Sequence, residues 1–138
     1  MNTKDIRNAL KAHLSTASLP SGTAEAWPNV GASAEDVPRF DASFSSVTQT
    51  LANTGAVEEE IEVETGNFNV VVIVAHGGGE DEALDIADIV SLRFEKGTDL
   101  TVAGGSLTVT GRPDIRGGYP TDTDYRVPVI IPYLAIKD

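Results

Sequence analysis

Phe68-Asn69-Val70-Val71-Val72-Ile73-Val74-Ala75 runs into His76 and Gly77-Gly78-Gly79, and Glu80-Asp81-Glu82-Ala83 then opens an amphipathic stretch that lasts to about Lys96. This order reads as strand, glycine turn and helix. The strand is nearly all apolar, which predicts cover on both faces and therefore a central place in a sheet. Ala83, Ile86, Ala87, Ile89, Val90 and Phe94 fall at helical spacing and predict one buried stripe. Asp81, Glu82, Asp85 and Asp88 lie outside that stripe. Glu80, Asp81 and Glu82 occupy the first turn, where acids offset the helix dipole. Gly97 is placed to end the helix as its C′ residue.

Upstream, Val57, Ile61 and Val63 alternate with glutamates, which predicts a strand with one wet face. Thr65-Gly66-Asn67 would then turn the chain into Phe68–Ala75 as a hairpin, with Gly66 free to take a positive φ. Arg39 to Ala52 alternates weakly, with Phe40, Ala42 and Phe44 on one side and Asp41, Ser43 and Ser45 on the other. That is a half-buried strand. Thr3 to Leu14 reads as a helix with Ile6, Ala9, Leu10 and Leu14 on its buried face, Asn2 or Thr3 as cap, and Lys4, Arg7 and Lys11 toward solvent. Ser15 to Pro38 reads as a long surface connection, with Trp27 plugging the apolar side of that loop.

Downstream, Leu100–Val102 and Leu107–Val109 predict two short strands joined by a tight turn at Ala103-Gly104-Gly105-Ser106. Thr110 to Asp124 is polar and reads as a mobile loop. Tyr125 to Tyr133 is the closing strand. Its prolines, Pro128 and Pro132, donate nothing to a ladder and predict an edge strand or a bulge. The whole chain reads as one α+β domain, residues 1–138, with a mainly antiparallel sheet and two helices packed on it.

The 138 residues fit one domain, and 41% of them are hydrophobic, enough for a core. There is no cysteine, so disulfides, thiolate metal sites and a cysteine nucleophile are excluded. The apolar run from Val70 to Ala75 is too short to span a membrane. Met1 to Arg7 is charged and lacks the apolar core of a secretion signal, so a cytosolic product is expected. The net charge of −11 disfavours binding to nucleic acid or to anionic membrane. It fits either plain solubility or an acidic wall past which DNA slides.

No constellation of catalytic groups stands out, so an enzyme is not expected. Gly77-Gly78-Gly79 lacks the ending and spacing of a phosphate loop, and acids follow it. Asp81, Asp85 and Asp88 could hold a divalent cation or pair as acids, but a solvated helix face explains them more simply. His76 has no nucleophile in a recognisable frame beside it. A small metal-dependent hydrolase using Asp81, Asp85 or His76 is the alternative of a different class. Arg112, Arg116, Tyr119, Tyr125 and Arg126 cluster late in the chain, and that mixture of arginine and tyrosine is typical of interface anchors.

Several short motifs recur in a telling order: Trp27-Pro28-Asn29-Val30; Gly66 before the apolar strand; Gly77-Gly78-Gly79-Glu80 leading into Ala83 and Ala87-Asp88; Phe94 with Gly97-Thr98; and Tyr125-Arg126-Val127-Pro128-Val129 with Ile131-Pro132-Tyr133. Together they resemble the tail terminator proteins of long-tailed bacteriophages, the lambda-type tail terminators in particular. The resemblance implies a structural virion protein made in the host cytoplasm. It implies a homo-oligomeric ring, a hexamer, that caps the head-proximal end of the tail tube and stops its growth. The implied partners are the tail tube protein, the tape measure protein and a head-completion or stopper protein. DNA would pass through without specific binding, which fits an acidic lumen; the acidic helix face, Asp81, Glu82, Asp85 and Asp88, is the candidate for that lumen or for a solvated rim. Neither a catalytic residue nor a cofactor is implied. A head–tail connector or a tail tube subunit is the nearest alternative.

Overall fold

The computed structural model describes residues 2–17, 24–26, 38–52, 60–77 and 80–137. Among these residues two helices, α1 (Thr3–Ser15) and α2 (Asp81–Arg93), accompany eight strands. These are β1 (Ala24–Ala26), β2 (Arg39–Ala52), β3 (Glu60–Ala75), β4 (Asp99–Val102), β5 (Gly105–Val109), β6 (Asp114–Ile115), β7 (Tyr119–Pro120) and β8 (Asp124–Lys137). They form one sheet in the order β1-β2-β3-β8-β5-β4, and β6 and β7 also pair with β8. Every pairing is antiparallel except that of β1 with β2. The expected α+β architecture, mainly antiparallel with two helices on the sheet, is what the chain adopts.

Both helices lie on one face of the sheet. Ile6, Leu10 and Leu14 of α1 join Ala83, Ile86, Ala87 and Val90 of α2, with Phe94 just beyond it, in a single buried cluster. The sheet contributes Phe40, Phe68, Val70, Val72, Val74, Val127, Val129, Ile131 and Tyr133 to that cluster. Phe94 stands edge-on to Phe68, with ring centroids 5.7 Å apart. Asn2 caps α1 through a reciprocal pair of bonds with Asp5. Thr3 instead donates to Glu64. Arg7 and Lys11 do not simply face solvent. They reach over the Phe44 ring of β2, at 5.0 and 6.0 Å from its centroid.

Four expectations are corrected. First, Thr65-Gly66-Asn67 is not a turn. β3 runs unbroken through it, paired with β2 on one side and β8 on the other. Gly66 is needed for a close approach instead, because a Cβ there would lie 2.3 Å from the Ser45 carbonyl oxygen. The hairpin is β2–β3, and its connecting residues, with Val57, lie outside the described ones. The unbroken strand keeps even-numbered side chains on the helix face, so Glu64 is fully buried rather than on a wet face.

Second, β8 is central and not an edge. Its β3 side pairs without interruption from Asp124 to Lys137. The carbonyls of Pro132 and Pro128 face the other side, accepting from the N–H of Thr110 (3.1 Å) and Arg116 (2.8 Å). Both missing N–H groups therefore face that side too. There β5 pairs with Tyr133–Lys137, β6 with Val129–Ile130 and β7 with Tyr125–Arg126. Each proline falls in a gap between successive partners, so three short strands stand where one long one would lose ladder bonds.

Third, residues 110–124 are not a plain loop, since they carry β6 and β7. Fourth, α2 stops at Arg93 with Phe94 as its C-cap. Gly97 has φ +90° but serves the turn into β4, donating to the Val109 carbonyl at 2.8 Å. Ile89, expected in the buried stripe, is only half-buried. The turn at Ala103-Gly104 is as expected, with Gly104 at φ +85°. Trp27 lies outside the described residues.

Candidate functional site

The late arginines and tyrosines do not form one patch. β7 pairs Tyr119 with Arg126, and both project from the sheet face opposite the helices. Asp114 and Arg116 share that face, since Asp114 pairs with Ile130, and they form an exposed ion pair of 2.6 Å. Tyr125 and Arg112 lie on the helix side. Arg112 lines a hollow of about 390 Å³ with Leu92, Glu95, Lys96 and Pro113 at the end of α2. The Tyr125 ring packs over Gly118, where a Cβ would clash, and its hydroxyl donates to Glu80 at 3.1 Å. Desolvation and then the Glu80 carboxylate raise the Tyr125 pKa.

Arg126 is held inward more than expected of an anchor. It grips Asp124 through both guanidinium contacts, Nε to Oδ1 at 2.9 Å and NH2 to Oδ2 at 3.2 Å. Thr121 donates to the same carboxylate at 2.6 Å, and Arg39 stands 3.6 Å from it. Asp124 and Arg39 are buried. The hydrogen bonds from Arg126 hold the Asp124 carboxyl below the usual carboxylate range, against the opposing effect of burial. In turn Asp124 raises the Arg126 pKa. Three of the five residues, Arg112, Arg116 and Tyr119, remain exposed and open to a partner.

Asp81, Glu82, Asp85 and Asp88 are all exposed along α2. Among the described residues, no group of three or more His, Cys, Asp or Glu side chains is placed to hold a metal ion. His76 is exposed in a hollow with Gly77, Glu80, Pro120 and Tyr125. Neither Asp81 nor Asp85 lines that hollow.

Two polar arrangements escaped sequence reasoning. Glu64 accepts from Thr3, Thr48 and Tyr133 at 2.7, 3.4 and 3.0 Å, tying α1 to three strands. Desolvation and this carboxylate push the Tyr133 pKa up to about 12. In the second arrangement, α1 and α2 are tied by His13 and Arg93. His13 Nε2–H donates to the Arg93 carbonyl at 2.8 Å, and Arg93 Nε donates to the His13 carbonyl at 2.9 Å. Burial lowers the His13 pKa. The only sequence signal for either was the even spacing of Glu64 with the buried residues of β3. Reading a turn at Gly66 hid it.

A family model described as phage tail terminator protein matches residues 5–133 of the chain. A solved structure superposes with a TM-score of 0.73 at 22% identity, covering 98% of this chain and 96% of its own. That likeness establishes a shared fold. Among curated proteins, none matches.

Proposed function

The chain belongs to the phage tail terminator family, a family of tail structural proteins, and on that premise we propose that it forms a ring capping the head-proximal end of the tail tube. The ring stops tube polymerisation and offers the surface on which the head is joined. The observation that carries this reading is the family match from residue 5 to residue 133, nearly the whole domain. The protein works without catalysis or cofactor. Its partners are further copies of itself, as a hexamer, the tail tube protein, the tape measure protein and a head-completion or stopper protein.

The charge distribution suits this role. A net charge of −11 and the exposed acids of α2 repel DNA that must move through without sticking. Asp81, Glu82, Asp85 and Asp88 are assigned to the lumen or rim. Arg112, Arg116 and Tyr119 are assigned to contacts with neighbouring virion proteins.

An assembly reaction with tail tube and tape measure proteins tests the proposal. With the protein present, tubes should stop at a uniform length and accept heads; without it, they should overgrow. Copies that stack into long tubes of their own would identify a tube subunit instead. Tubes of unchanged length distribution with and without the protein would defeat the terminator role.

A further inference from the structure

β2 has an open edge. β1 covers it only from Arg39 to Asp41, and among the described residues nothing pairs with its outer side from Ala42 to Ala52. In an antiparallel strand every second residue turns its N–H and C=O away from its one partner, so this edge carries a row of ladder groups with no strand partner among the described residues. Edge strands of this length are ordinarily blunted by lysine, proline or a bulge. None is present here. The pairing with β3 runs residue for residue from Arg39 to Ala52. From Ala42 to Val57 the chain has neither a charge nor a proline, and this is its longest run without a charged residue.

At the far side of the sheet β4 pairs with β5 alone. Among the described residues, two edges of the sheet are thus open. Five strands of alternating direction lead from β2 to β4, so the two edge strands run the same way. A neighbour related by rotation would bring its β4 alongside β2 in parallel.

We propose that a stretch of the β2 edge between Ala42 and Ala52, about as long as the four-residue β4, receives the β4 edge of a second copy, so that the sheet continues from subunit to subunit. This rests on the ring reading above and names its contact. Charge favours a second copy as the occupant. Each copy is strongly negative, and the β2 side of the joint has no acid of its own, while the one acid of β4, Asp99, accepts a hydrogen bond from Thr108 within its own subunit. The charged side chains reaching over Phe44 beside it, Arg7 and Lys11, are both cationic. Two different patches meet at each joint, so the contact is head to tail, and repeated rotation closes it into a ring.

Hydrogen exchange on the full chain, dispersed at low salt and assembled at high salt, tests the joint. The outward-facing amides within one stretch of about four residues between Ala42 and Ala52, the length of β4, should become protected on assembly. The chain lacks cysteine, so introduced pairs report cleanly. Thr101→Cys combined in turn with Ser43→Cys, Ser45→Cys and Val47→Cys should give a ladder of disulfide-linked oligomers for at least one pair, and none for the single variants. All four positions are exposed. Rings whose β2 amides exchange as fast as in the free subunit would overturn the joint and leave the ring intact. Single variants in β2 that cross-link to themselves would show two-fold pairing and also overturn it. A chain that stays monomeric on tube ends and at high salt would overturn the joint and the ring together.

Discussion

The fold shifts the protonation of Asp124 and of Tyr133 in opposite directions. Asp124 is buried and held by Arg126, Thr121 and Arg39. Asp124→Asn should cost about 1.5–3 kcal/mol at pH 7, the range for hydrogen bonds to a charged group. The folded-state pKa is depressed, so this stability is present above the ordinary carboxyl value of 3.8 and fades as pH falls through the lowered one. Urea unfolding of both proteins should show a gap at pH 7 that narrows in acid. An equal gap at every pH would mean that packing, not charge, is lost. Tyr133 behaves in the opposite sense. Its raised pKa contributes stability below 10 that is lost as pH climbs toward about 12. Tyr133→Phe should remove that alkaline dependence and leave Glu64 with one donor fewer, at a cost of about 1–3 kcal/mol at neutral pH. Gly66→Ala should cost about 1–3 kcal/mol or more, because the added carbon meets the Ser45 backbone across the ladder. Neutral behaviour at Gly66 would revive the turn.

At the scale of elements, α2 is the piece whose reading survived most nearly whole. Its periodicity placed Ala83, Ile86, Ala87, Ile89, Val90 and Phe94 in the core, and all but the half-buried Ile89 are fully buried. Phe94 lies past the last helical turn yet packs against the His13 and Phe68 rings, at 5.0 and 5.7 Å between centroids. Phe94→Ala should therefore cost about 3–5 kcal/mol, read as a lowered midpoint in urea unfolding. A loss well under ~1 kcal/mol would mean that the cluster collapses around the gap without penalty. The strands show the limits of local patterning. Alternation identifies a strand but not its neighbours, so β8 looked like an edge while β2, with its uncharged free side, went unremarked.

For the whole molecule, the net charge sets the salt response. Copies carrying −11 repel one another, and screening shortens the reach of that repulsion. Oligomerisation should strengthen between 0.05 and 1 M salt, as followed by light scattering. Weakening with salt would point to ion pairs as the main contact between subunits. Because Arg112 and Arg116 lie on opposite sides of the sheet, Arg112→Glu and Arg116→Glu should be tested singly. Both sites are exposed, so neither change should shift stability by more than about 0.5 kcal/mol. The variant that yields overlong tubes identifies the face meeting the tube, and the one that yields headless tails identifies the face meeting the head. Normal tails from both would return these arginines to ordinary surface.

The sequence by itself determined what depends on near neighbours along the chain. Helical spacing fixed the buried faces of α1 and α2, and Ala103-Gly104 fixed the tight turn between β4 and β5. Composition excluded thiol chemistry, and the ordered motifs from Trp27 to Tyr133 pointed to the tail terminator family. Tertiary structure alone decided whatever depends on partners remote in the chain. Gly66 takes part in a strand because it pairs with Ser46 of β2, with the Ser45 carbonyl pressed close, a contact some twenty residues distant that no local pattern records. Pro128 and Pro132 sit in a central strand because their missing donors happen to face gaps between three short partners. The late arginines divided between two faces because pairing with β8 sets Arg116 and Arg126 on the face opposite the helices while Arg112 lies at the end of α2, and Arg126 is held close because Asp124 is buried beside Arg39. In each case the deciding interaction is a register or a burial, set only once the whole sheet has closed.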